Sequence, residues 1–133
     1  MLTAWLATAA VFLILDAGWL SLTSASLYRP VLQPLLRVAG PRLVPAALFY
    51  LIYITGAVVL AVRPALHAGG WRRAGVIGAL LGVFAYATYD LTNEATLAVW
   101  SVRITALDLA WGCGLTALAS AAGCAAASRV GKS

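Results

Sequence analysis

The chain has 133 residues, of which 63% are hydrophobic and only 10% charged, and its mean hydropathy is +0.95. Soluble domains are about half apolar and about a quarter charged, and disorder needs low hydrophobicity with high charge, so both classes are excluded. Nine Lys and Arg face four Asp and Glu, a net of +5, yet no basic cluster interleaved with aromatics exists to grip nucleic-acid phosphates.

What remains is a single all-α integral membrane domain over residues 1–133. A membrane helix needs about 20 apolar residues, and four stretches supply them: 3–24, 43–62, 74–93 and 104–127. The first has no Lys or Arg before it and is interrupted by Asp16, which fits a retained helix better than a cleaved signal peptide. Between it and the second lies Tyr28–Arg42, YRPVLQPLLRVAGPR. Pro30, Pro34 and Pro41 read as breakers there, so 28–42 is expected to be an interfacial loop on the membrane surface.

Arg63-Pro64 reads as the end of the second helix, and Gly69-Gly70-Trp71-Arg72-Arg73 as the start of the third. A short segment with Trp100 and Arg103 leads into the fourth. Trp71 and Trp100 read as interfacial aromatics. Cys113 and Cys124 lie eleven residues apart on that last helix, roughly 16 Å by helical rise, too far to pair. With the single His67 they make no metal set, so no metal or cofactor is expected.

Four crossings give an antiparallel four-transmembrane-helix bundle with both termini on one side. Arg63, Arg72, Arg73, Arg129 and Lys132 lie on that side, against Arg29, Arg37, Arg42 and Arg103 opposite. The positive-inside rule then favours cytoplasmic termini in the inner (plasma) membrane.

All four carboxylates, Asp16, Asp90, Glu94 and Asp108, fall within membrane helices or at their ends. None is spent on solubility, and an ionisable group at that depth reads as functional by default. Threading the helices brings the four acids, from three helices, into one half of the bilayer.

Spacing adds a shared face. Gly78, Gly82, Tyr86, Asp90 and Glu94 follow at i+4 on the third helix, and the glycines allow close backbone approach. Asp108, Gly112, Thr116 and Ser120 repeat the stripe on the fourth. Asp16-x-x-Trp19 matches Asp108-x-x-Trp111, and the second helix offers Phe49, Tyr50 and Tyr53. The expected interior is a carboxylate pocket walled by aromatics. Its catalytic candidates are Asp16, Asp90 and Asp108. The substrate-binding candidates are Trp19, Tyr50, Tyr53, Tyr86, Tyr89, Asn93 and Trp111. The competing structural reading pairs Asp108 or Glu94 with Arg103, or lets protonated acids fix helix register.

The strings Phe49-Tyr50-x-x-Tyr53, Tyr89-Asp90-Leu91-Thr92-Asn93-x-Ala95-Thr96-Leu97-x-x-Trp100 and Asp108-x-x-Trp111-Gly112 resemble a bacterial family of four-helix membrane proteins. That family is known as domain of unknown function 2177. The resemblance spans essentially the whole chain and implies fold and location, but carries no reaction. Glu94 departs from the pattern, which has a small or apolar residue there.

Three functions fit these residues. The first is an acid–base enzyme of isomerase or cyclase type, or a subunit of one, acting on a lipid or isoprenoid. Asp90 and Asp16 would exchange protons, and Trp19, Trp111, Tyr86 and Tyr89 would face developing positive charge. The second is a proton-coupled small-molecule transporter working as a dimer. The third is a structural or assembly subunit of a membrane complex. Expected partners are membrane lipid, a lipophilic small molecule, and either a second copy or another membrane subunit. Nucleic acid is not among them.

Overall fold

The computed structural model describes residues 1–131, and all of its regular structure is helical. Lys132, one of the charges counted on the side of the termini, lies outside the described residues, as does Ser133. Four helices are long and apolar enough to cross a membrane: α1 (Leu2–Leu35), α2 (Leu43–His67), α3 (Gly70–Thr96) and α4 (Val102–Val130). The fold is an all-α four-helix membrane bundle. Helices are the natural solution here, because every backbone polar group of an isolated span must be satisfied within the span.

Two helices run past the prolines expected to stop them. α1 continues beyond Ser24 through Tyr28 and Pro30 to a last 3₁₀ turn ending at Leu35, and α2 continues beyond Arg63-Pro64 to His67. The same device operates in both. Each proline is preceded by a five-residue π-helical turn, Ser24–Tyr28 before Pro30 and Val58–Val62 before Pro64. Proline removes an N–H and presses its ring on the carbonyl of the preceding turn; a wider turn relieves that pressure without ending the helix. In α1, hydroxyls reinforce the widened region: Thr23 Oγ1 donates to the Trp19 carbonyl at 2.7 Å and Ser26 Oγ to that of Leu22 at 3.2 Å. The interfacial loop is therefore shorter than 28–42, and begins only after Leu35.

Packing is layered along the bundle. Near the termini, Ala4, Val58, Val62, Ala65, Ala74 and Cys124 form one buried cluster. The middle holds Ala9, Phe12, Ile54, Leu115 and Ala119, with Phe12 and Ile54 almost wholly enclosed. Large apolar residues such as Ile14, Leu22, Ile52, Leu60, Phe84 and Leu118 point outward, as a lipid-facing surface requires.

α3 and α4 make the most extensive helix pair. Their contact depends on glycine. A Cβ on Gly82 would strike the carbonyl of Gly112, and one on Gly112 would enter the Tyr86 ring. Close backbone approach of this kind is the use of small residues in membrane packing.

α2 leans on α3 chiefly through Val58–Val62 and Arg63–His67. Its first fifteen residues make few contacts with α3. The two helices thus meet near the side of the termini and part toward the other face.

Candidate functional site

Past the middle layer the interior turns polar. Asp16, Asp90 and Asp108 are 8%, 0% and 6% exposed. Asp16 and Asp108 lie within electrostatic range of one another, and the carboxyl of Asp90 neighbours that of Asp108. The i+4 stripe of α4 also faces inward: Asp108, Gly112, Thr116 and Ser120 are all buried.

Each acid has a different partner. Asp16 Oδ2 accepts from the Tyr50 hydroxyl at 2.6 Å. Asp108 Oδ1 accepts from the Tyr28 hydroxyl, whose oxygen in turn accepts from Trp19 Nε1 at 2.9 Å. Among the described residues, no N–H or O–H donor meets either oxygen of Asp90. Its neighbour is a second carboxyl, that of Asp108. Two carboxylates face to face in a low-dielectric interior repel strongly, whereas one shared proton turns the contact into a charge-assisted hydrogen bond.

Glu94 stands apart. Its Oε2 accepts from Thr105 Oγ1 at 2.6 Å, and Trp100 Nε1 donates to the same Thr105 oxygen at 3.0 Å. Trp100 thus closes the α3–α4 connection rather than marking only the interface, while Trp71 is exposed with the Arg72 guanidinium 5.3 Å from its ring. Arg103 does not neutralise the acids: its side chain is exposed, and among the described residues it forms no ion pair with Glu94 or Asp108. Hydroxyl donors take the place expected of the guanidinium.

The aromatic candidates divide into three groups. Trp19 and Trp111 stack on each other, centroids 4.6 Å apart and planes at 9°, with Trp111 Nε1 buried and unpartnered. Tyr50 and Tyr53 pack on Phe12, and the Tyr53 hydroxyl pairs with Thr116 Oγ1 at 2.8 Å. Tyr86 lies edge-on to Tyr53 at 6.5 Å. Tyr89 is 61% exposed and meets Trp100 edge-on, with half-buried Asn93 beside its hydroxyl.

Where α2 and α3 part, a crevice of about 360 Å³ forms. Phe49, Tyr53, Ala85, Tyr86 and Tyr89 wall it, and Asp108 is its single acidic lining residue. Asp90 sits behind Asp108. Asp16, Trp19 and Trp111 do not line the crevice, and among the described residues no group of His, Cys, Asp and Glu is arranged to hold a metal.

Tyr28 joins the site although the sequence pattern places it first in a loop, where a hydroxyl has no reason to matter. The wide turn ahead of Pro30 carries it back into the bundle and onto Asp108. The available signal was chemical: a buried carboxylate requires donors, and Arg103 was not the nearest one.

No curated protein and no solved structure matches the chain. The model of the DUF2177 family, described as a predicted membrane protein, matches residues 1–125. With four apolar helices in place over that range, the chain belongs to this family of membrane proteins of unknown function.

Proposed function

We propose that the protein is a membrane-embedded acid–base catalyst that rearranges an unsaturated lipid or isoprenoid entering sideways from the bilayer. The observation that carries this reading is Asp108, an acid at the floor of an aromatic crevice, backed by a buried carboxyl with no other partner. The crevice opens between two helices whose outer surfaces are apolar, so a hydrocarbon chain reaches it without crossing water.

The chemistry is a proton shift. The Asp90–Asp108 pair gives its proton to one carbon of a double bond, leaving positive charge on the other. It then takes a proton from a carbon next to that centre, which re-forms a double bond and returns the pair to its starting state. Ring closure between the two steps would give a cyclase. Tyr53, Tyr86 and Tyr89 present ring faces and edges around the path, where cation–π attraction favours developing positive charge. Tyr28 holds Asp108 in orientation, and Trp19 holds Tyr28.

Two features support catalysis over the other roles. Among the described residues no N–H or O–H donor reaches the buried Asp90 carboxyl, and buried Trp111 Nε1 and Ser120 Oγ have no hydrogen-bond partner, which a purely structural interior would avoid. The apolar layer of Phe12, Ile54, Leu115 and Ala119 lies below the acids and leaves the Thr8, Thr116 and Ser120 hydroxyls as the buried polar groups beyond them, a sparse route for transport. We further infer cytoplasmic termini in the plasma membrane, from the five-to-four distribution of basic residues.

The test requires no prior substrate. Full-length protein is reconstituted into liposomes of total bacterial lipid in D₂O, and the lipids are analysed by mass spectrometry. Wild type is expected to introduce carbon-bound deuterium into one lipid class, and Asp108→Asn to abolish it. Equal labelling with and without protein, or undiminished labelling by Asp108→Asn, overturns the proposal.

A further inference from the structure

The end of α1 and the loop after it border a second, larger and open cavity, about 790 Å³. It is chemically the opposite of the crevice. Arg29 and Arg37 line it together with Ser24 and Gln33, and among the described residues no acidic one does. Among the described residues, neither arginine forms an ion pair with an acid: the carboxyls of Asp16, Asp108 and Glu94 are bonded to Tyr50, Tyr28 and Thr105, and Asp90 is enclosed.

Depth matters as much as charge. The cavity lies at the end of a membrane-spanning helix, where the hydrocarbon layer gives way to headgroups. On its rim Leu35, Leu36 and Val38 are exposed at 53%, 48% and 107%. Exposed apolar side chains beside an unneutralised pair of arginines match a ligand with one anionic end and one greasy end.

We propose that this cavity binds the phosphate of an anionic membrane lipid. Arg29 and Arg37 engage the phosphate oxygens, for which the planar guanidinium fork is suited. Ser24 and Gln33 donate to the remaining oxygens or to the headgroup, and Leu35, Leu36 and Val38 lie along the first acyl carbons. The site is independent of the carboxyl pair: it would hold a lipid whether or not that pair is catalytic. It also gives the loop a reason to fold against α1 instead of spreading on the surface.

Native mass spectrometry of the full chain in a neutral detergent tests this, with phosphatidylglycerol, phosphatidylcholine and inorganic phosphate as separate probes. Phosphatidylglycerol is expected to remain bound to wild type and to bind about tenfold or more weakly to Arg29→Gln/Arg37→Gln. Arg72→Gln/Arg73→Gln removes the same charge near the start of α3 and should bind within about twofold of wild type. Should the glutamine pair fail to fold, Arg29→Lys/Arg37→Lys keeps the charge but loses the fork, and weaker retention is again expected. Equal loss in both arginine pairs, or equal binding of phosphatidylcholine, overturns the site. Inorganic phosphate displacing phosphatidylglycerol at equal concentration would overturn the lipid as its ligand.

Discussion

The carboxyl of Asp90 neighbours that of Asp108, and among the described residues no N–H or O–H donor reaches either Asp90 oxygen. Asp108 is held from its other side by Tyr28 and looks into the crevice, while Asp90 is wholly enclosed. One member of the pair therefore meets a ligand, and the other meets only its partner. This asymmetry separates their expected behaviour under substitution.

Asp90→Asn should fold and lose activity. On the proposed shared proton, its amide offers an N–H to Asp108 in place of that proton, so the contact should survive without a transferable proton. Thermal unfolding in detergent should match wild type or exceed it by roughly 1 kcal/mol, with no deuterium introduced into lipid. Cooperative unfolding lost altogether would instead mark Asp90 as a structural group.

Tyr28→Phe leaves Asp108 and Trp19 Nε1 without their shared hydroxyl. An unsatisfied buried polar group costs about 1–3 kcal/mol, so the melting temperature should fall measurably and turnover should drop. Stability equal to wild type would show that the hydroxyl is dispensable to Asp108.

Gly82→Ala and Gly114→Ala are a matched pair. The first drives a methyl into the Gly112 carbonyl, while the second meets nothing within 4 Å. Overpacking a tight contact costs roughly 1–3 kcal/mol, so detergent unfolding should be lowered clearly by Gly82→Ala and hardly at all by Gly114→Ala. Equal effects would contradict the α3–α4 contact.

The crossing pattern has its own check. In a protein lacking Cys113 and Cys124, single cysteines replacing Ala68 and Gly131 should label from one side of the membrane, and one replacing Val38 from the other. Labelling of Ala68→Cys and Val38→Cys from the same side would rule out four crossings in this order.

Fold class was legible because the bilayer leaves few choices: four long apolar runs with their acids kept off the surface admit little besides a helical bundle. The Gly78–Gly82 spacing and the inward stripe from Asp108 to Ser120 were legible for the same reason, since helical periodicity carries them. Pro30 and Pro64 misled because a proline signals trouble for the turn before it, and whether that turn ends or widens depends on hydroxyls and packing that no local pattern encodes. Tyr28 was hidden by that error alone. The Asp108–Arg103 pair was expected from nearness in sequence, but Arg103 remains exposed while a hydroxyl from eighty residues away reaches the acid. The spacing places Trp19 and Trp111 each as a wall beside an acid. Their stacking on one another depends on how α1 and α4 cross, which follows from tertiary packing.

The central claim is that Asp90 and Asp108 share a proton at neutral pH. Infrared spectroscopy of the purified protein in lipid bilayers tests it most directly, through the carbonyl stretch of a protonated carboxyl and its shift on transfer to D₂O. The account predicts such a band at pH 7 in wild type and its loss in both Asp90→Asn and Asp108→Asn, with the band unchanged in Glu94→Gln. A wild-type spectrum at pH 7 containing only ionised carboxylate bands would contradict it.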